Sequence, residues 1–260
     1  MGFLSDFMSE RRREVASRVL DVPALEHEAA ARPPVRPFAA ALQRGSPALV
    51  AEVKRMSPSA GDIAPRSDPR EPARAYAEGG ASAVSVLTEP RRFGGSLDDL
   101  RAVREVIDLP LLRKDFLVAP VEVLEARAAG ADAVLAITAA LGDDELDGLL
   151  STASDLGMDV LVEAHGDDDL ERALARNPRV IGVNARDLES LDVDLDAALD
   201  RIRRIPPGRI VVLESGVSTR AHVKAALDAG ASAILVGEAL MRADDPRGMM
   251  RELFGEDGSR

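Results

Sequence analysis

The chain has 260 residues, of which 46% are hydrophobic and 30% charged, enough apolar material for one large core and too little bias for disorder. Its net charge of -12 leaves no basic face for a nucleic acid, so an anionic ligand must find its positive charge in a local pocket. The absence of cysteine excludes disulfides, thiolate catalysis and Cys-ligated zinc.

No apolar run approaches the roughly 20 residues of a membrane span, and the charged N-terminus does not suit a signal peptide. A cytoplasmic protein without a membrane or nucleic-acid partner is expected. In chain order, residues 3–19 and 37–44 read as helices joined by the Pro-rich stretch Arg32-Pro33-Pro34. They form an N-terminal extension, 1–45, too short to bury a core of its own. The barrel is expected to begin at about residue 46, with 1–260 as a single domain.

An internal repeat then sets the architecture. Gly80-Ala81-Ser82-Ala83-Val84, Gly130-Ala131-Asp132-Ala133-Val134 and Gly230-Ala231-Ser232-Ala233-Ile234 are nearly one phrase, each after an Ala-rich helical stretch and before an apolar run. The glycine suits the left-handed position after a helix, and the continuous apolar run suits a strand covered on both faces. The spacings are multiples of about 25 residues, the length of one strand–loop–helix unit. Eight strands follow, near 49–53, 83–87, 109–113, 133–137, 159–162, 180–183, 210–213 and 233–236, with helices such as 97–107, 121–129 and 220–229 between them. The fold class is α/β, a (β/α)8 TIM barrel with an N-terminal helical extension. A doubly wound open sheet is the competing architecture, but no G-x-G-x-x-G phrase follows the first strand.

Catalytic groups in such a barrel stand at the C-terminal strand ends. There the sequence places Glu52 and Lys54 on one side of the first strand, Lys114 on the third, Glu163 on the fifth, Asn184 and Arg186 on the sixth, and Glu214-Ser215-Gly216 on the seventh. Of the 33 lysines and arginines only Lys54, Lys114 and Lys224 are lysine, and two of these fall at strand ends. Charged strand ends are common for solubility alone. Two lysines, two carboxylates, an amide and a guanidinium on one rim fit acid–base chemistry better, since a buried lysine can lower its pKa and donate a proton where arginine cannot. Lys224 reads as a surface residue.

The loops after the seventh and eighth strands, Ser215-Gly216-Val217-Ser218 and Gly237-Glu238-Ala239-Leu240, have the small residues and the helix start at Gly237 that suit a phosphate. Ser57 in the first loop adds a hydroxyl. Phe93 and Phe116 lie near the mouth, where they would sandwich a ring or simply anchor their loops. His165 is read as a base, as a residue supporting Glu163 from behind, or as one facing solvent, with the last two favoured. No His/carboxylate cluster has metal-ligand spacing, so no metal is expected.

Taken together, Ala51-Glu52-Val53-Lys54-Arg55 with Ser57-Pro58-Ser59, Ser85-Val86-Leu87-Thr88-Glu89 with Phe93-Gly94-Gly95-Ser96, and Leu112-Arg113-Lys114-Asp115-Phe116 resemble the indole-3-glycerol phosphate synthases. So do Val162-Glu163-Ala164-His165, the run from Gly182 to Leu188, Glu214-Ser215-Gly216 and the run from Leu235 to Met241. The resemblance implies a phosphorylated substrate, 1-(2-carboxyphenylamino)-1-deoxyribulose 5-phosphate, and its ring closure, decarboxylation and dehydration in tryptophan biosynthesis, with no cofactor. It implies Lys114 as general acid at the carbonyl oxygen and Glu163 as general base near the anilino nitrogen, with Glu52 and Lys54 in proton transfer and in binding the substrate's carboxylate or hydroxyls. Asn184 and Arg186 would hold the carboxyphenyl end and the departing hydroxyl, and Phe93 and Phe116 would flank the aromatic ring. Ser57, Ser215, Gly216, Gly237 and Glu238 would form the phosphate end. Ala60, Ala164, Ala185 and the Val121-Glu122 pair depart from the family pattern and bear on loop packing and rate. A monomer is expected. The competing functions are another sugar-phosphate barrel enzyme, and a non-catalytic or specialised-pathway paralogue binding a similar ligand.

Overall fold

A computed structural model describes residues 3–44, 47–65 and 67–255. The strands are β1 (Ala48–Val53), β2 (Ala83–Leu87), β3 (Leu111–Lys114), β4 (Ala133–Ile137), β5 (Asp159–Ala164), β6 (Val180–Asn184), β7 (Ile210–Glu214) and β8 (Ala233–Val236). All pair in parallel and in order, and β8 returns to β1 through Ala48↔Ala233, so the sheet closes without an edge. This is the expected (β/α)8 barrel. The repeat glycines Gly80, Gly130 and Gly230 all have positive φ, which ends each helix and turns the chain into the next strand. The short alanines that follow, Ala83, Ala133 and Ala233, are fully buried at the strand starts.

Two expectations shift. β3 starts at Leu111, not 109, because Pro110 has no N–H for the sheet and the Leu109 carbonyl accepts from Arg104 Nη2 at 2.8 Å. The extension has three helices, α1 (Phe3–Ser17), α2 (Val22–Ala31) and α3 (Phe38–Arg44), not two. The unexpected α2 is started by Asp21, whose side chain accepts from Ala24 N, and by proline in its first turn. The boundary expected near residue 46 lies outside the described residues.

These helices wrap the barrel from mouth to base. α1 lies over the C-terminal ends of the strands, α2 packs along α6 (Pro120–Ala129), and α3 sits at the opposite end with Phe38 and Leu42 fully buried. Apolar residues of α1 and α3 belong to the same core as the strands, as a short segment without a core of its own requires. Two aspartates fix the base. Asp132, at the one repeat position that is not serine, accepts from Arg36 N (2.8 Å), Leu111 N and Arg104 Nη1 (both 2.9 Å). Asp159 accepts from Ala39 N at 2.8 Å. Burial pushes the Arg104 guanidinium down to about 10, with Asp132 opposing that shift.

The remaining helices, α4 (Arg70–Glu78), α5 (Leu97–Arg104), α7 (Asp143–Asp155), α8 (Asp167–Ala175), α9 (Leu195–Arg203) and α10 (Arg220–Ala229), form the outer layer. α11 (Glu238–Met241) and α12 (Pro246–Phe254) follow β8. Among the described residues no helix is long and apolar enough to cross a membrane.

Candidate active site

Side chains alternate along each strand, so the last inward position of each one faces the mouth. These positions hold Glu52, Lys114, Glu163, Asn184 and Glu214, above an apolar floor that includes Leu87, Leu135 and Ile137. A cavity of about 430 Å³ opens over them. Every site residue named from the sequence lines it: Glu52, Lys54, Ser57, Phe93, Lys114, Phe116, Glu163, Asn184, Arg186, Ser215, Gly216, Gly237 and Glu238. Lys224 is exposed and paired with Asp228, in keeping with a surface role.

Lys114 is the hub. Its Nζ lies 3.0 Å from Glu163 Oε2 and 3.1 Å from Glu214 Oε2, and all three side chains are almost wholly buried. Burial alone would lower the lysine's pKa, but Glu163, Glu214 and Glu52 outweigh it and hold the ammonium above its ordinary range. The lowering expected for a buried lysine is therefore reversed. The two carboxyls separate. Burial would raise Glu163, yet Lys114 and His165 hold it well below the usual carboxylate range, so it is ionised. Burial and the neighbouring Glu163 push Glu214 well above that range, against the pull of Lys114, so it keeps its proton where other glutamates lose theirs. Two carboxyls driven apart by their surroundings make one base and one acid.

The backbone makes room for this cluster. A Cβ at Gly237 would lie 2.5 Å from Glu52 Oε1, and one at Gly182 would collide with Glu214 Oε1, so each glycine leaves space for a buried carboxylate. Glu52 Oε1 pairs with Lys54 Nζ at 3.1 Å, the same-side placement that alternation requires. The residues flanking Lys114 brace it. Arg113 pairs with Asp115 at 2.8 Å, Thr88 Oγ1 donates to Asp115 at 2.7 Å, and Arg113 Nη1 donates to the Glu122 carbonyl at 2.8 Å.

At the sixth strand, Asn184 Oδ1 accepts from Arg186 N at 3.0 Å, which leaves the amide NH2 for the cavity, while Arg186 Nη1 donates to the Leu191 carbonyl at 2.7 Å. Ser215, right after Glu214, has φ 67, a costly left-handed conformation for a residue with a side chain. Ser57 is buried, and its Oγ accepts from Ala60 N at 3.2 Å in the short ribbon Met56–Ser57/Gly61–Asp62. The Glu238 carboxylate is turned to Arg242 Nε at 3.1 Å.

The aromatic residues differ from the expected sandwich. Phe93 and Phe116 stand 6.3 Å apart at 35°, too close to admit a ring between them, and Phe7 of α1 meets Phe116 edge-on at 4.8 Å. The three form one wall. Sequence reading missed Phe7 and Leu4, which line the cavity from the N-terminal extension, and left Glu214 without a role. Glu214 had a usable signal, because it alternates in register with Val212 and Ile210 along an inward row. Leu4 and Phe7 had none. Arg11, one turn after Phe7, anchors α1 by pairing with Glu122 at 2.5 Å.

Comparison with known proteins agrees with this geometry. The family model described as indole-3-glycerol phosphate synthase matches residues 4–253. A relative of that name from Mycobacteroides abscessus is 46% identical over 96% of this chain and 93% of its own length. Another, from a Nocardioides species, is 46% identical over 98% and 99%. Among solved structures, a 3-hexulose-6-phosphate synthase superposes with a TM-score of 0.61 at 21% identity, covering 79% of this chain and 97% of its own, which supports the barrel alone.

Proposed function

The chain belongs to the indole-3-glycerol phosphate synthase family, and from that membership we propose how its own residues close an indole ring. The activity is that of a carboxy-lyase of tryptophan biosynthesis acting on 1-(2-carboxyphenylamino)-1-deoxyribulose 5-phosphate. The observation that carries the assignment of roles is the Lys114 ammonium, held between ionised Glu163 and protonated Glu214.

The substrate's phosphate sits among Ser57, Ser215, Gly216, Gly237 and the Glu238 backbone, and its carboxyphenyl ring lies against Phe93, Phe116 and the apolar floor. Lys114 gives its proton to the C2 carbonyl oxygen as the ring carbon bearing the carboxylate attacks C2, forming the new C–C bond. Loss of CO2 returns the bonding pair to the ring. Glu163 then takes a proton from C1, beside the anilino nitrogen, as the hydroxyl at C2, oriented by Asn184, receives a proton relayed by Lys54 and departs as water, which leaves the indole C=C bond. Glu52 and Lys54 relay protons and hold the substrate's carboxylate or hydroxyls, with Arg186 at the carboxyphenyl end. Glu214 can return a proton to Lys114. Each step needs an acid or a base and no electron carrier.

Residues 1–260 act as one barrel unit including the extension 1–45, as a cytoplasmic monomer without a nucleic-acid or membrane partner. The sharing of one core by α1, α3 and the strands supports that unit. The test is a substrate panel with purified protein. Formation of a fluorescent indole product from the carboxyphenylamino substrate alone supports the reading. Calorimetric binding of that substrate without turnover, or turnover of a different sugar phosphate, overturns it.

A further inference from the structure

Besides its contact with Glu214, Glu163 has one further partner on each of its oxygens. Oε2 is held by Lys114 at 3.0 Å, and Oε1 faces His165 Nε2, also at 3.0 Å. His165 stands just past the end of β5, its side chain only 8% exposed, so the solvent-facing alternative fails. Its approach to Glu163 is oblique. Neither ring nitrogen makes a fully aligned hydrogen bond to any described residue, although both are buried. A buried polar group in that state favours completing the nearest bond. The groups facing the imidazole are Glu163 on its own strand and Asp187 in the loop after β6, which is held low by the Ser190 and Glu189 amides and also senses His165.

The proposed chemistry makes this second contact matter. When Lys114 turns to the substrate's carbonyl oxygen, it releases Glu163 Oε2. The base then keeps only Glu214 and His165 as protein partners in the step that follows. We infer that His165 is a positioning residue for Glu163: its Nε2–H takes over as the donor that keeps the carboxylate facing C1, beside the anilino nitrogen, once Lys114 has moved to the substrate. The inference rests on Glu163 acting as the base. It assigns His165 no proton transfer to or from the substrate. A neutral imidazole with its proton on Nε2 suffices for it.

The experiment is steady-state kinetics on His165→Leu, His165→Gln, Glu163→Gln and the double variant Glu163→Gln/His165→Leu. Leucine fills the volume without a donor, whereas glutamine places an N–H where Nε2 stands. A base left free to turn away costs a roughly ten- to hundredfold fall in kcat for His165→Leu. KM should stay within about threefold of the parent, because substrate binding uses other residues. His165→Gln should recover most of the loss, and His165→Leu should add nothing in the Glu163→Gln background. If the leucine variant does not fold, His165→Asn, whose amide is too short to reach Oε1, replaces it with the same expected fall.

Unchanged kcat in the donor-less variant, an effect on KM alone, or no recovery by glutamine would overturn the inference. The two failures are separable. If Glu163→Gln retains turnover, the base assignment itself falls. If Glu163→Gln loses turnover while the donor-less His165 variant does not, only the role of His165 falls.

Discussion

Replacing Glu214 by glutamine removes one titrating group from the centre of the barrel while keeping its shape and, with an amide N–H in place of the O–H, a donor toward Glu163. The folded protein holds the Glu214 proton well above the ordinary glutamate value of 4.5, because of burial first and the Glu163 charge second. The unfolded chain gives up that proton near 4.5. Between 4.5 and the raised folded value the native state therefore binds about one proton more than the unfolded state, and stability falls as pH rises through that window. One excess proton corresponds to a slope of about -1.4 kcal/mol per pH unit. Below 4.5 the sign reverses, since folded Glu163 resists the proton that unfolded Glu163 accepts, and stability falls as pH falls. Urea unfolding of the parent and of Glu214→Gln from pH 4 to 9, compared at each pH, isolates this pair because the other groups cancel. The difference should grow in favour of the variant from about pH 4.5 upward and then level off at the folded pKa. A difference that stays flat with pH, or a variant that loses stability relative to the parent as pH rises, would refute the protonated Glu214.

Other outcomes follow from the same geometry. Gly237→Ala should push Glu52 out of its place, as the added Cβ would lie 2.5 Å from Oε1; turnover should drop at least tenfold or so while the melting temperature moves little, by activity assay and calorimetric scan. Asp132→Ala leaves Arg104 and two backbone N–H groups without their acceptor at the barrel base, and should cost roughly 3–5 kcal/mol in denaturant unfolding with turnover per folded molecule unchanged. Phe7→Ala should open the aromatic wall at the mouth and raise KM more than it lowers kcat, which initial-rate measurements over a range of substrate concentration will read.

The barrel was legible because its signals are local and repeated. Gly130 ends a helix, Ala133 begins a strand, and the same phrase recurs at Gly80 and Gly230, so the unit length and the number of units follow from the chain itself. The strand-end residues were legible for the same reason, since a barrel sends the ends of its strands to one rim, and Glu52, Lys114, Glu163 and Asn184 were already at those ends. What escaped was relational. The Lys114 pKa depends on three carboxylates from three other strands, and no single segment reveals that their charge outweighs burial. Phe7 and Leu4 reach the cavity because α1 is tied across the fold by pairs such as Arg11 with Glu122 and Arg12 with Glu145. α2 was hidden by the prolines after it, although Asp21 and Pro23 marked its start.

If this chain closes an indole ring with Lys114 as its acid, removing that side chain must cost turnover and spare substrate binding. The most direct measurement follows indole fluorescence with the carboxyphenylamino-deoxyribulose phosphate as substrate, for the parent and for Lys114→Ala, alongside calorimetric binding of the substrate to both. The parent should turn over, and Lys114→Ala should still bind while losing roughly a hundredfold or more of its turnover. A parent that binds but forms no indole, or a Lys114→Ala variant that turns over at the parent's rate, would contradict the account.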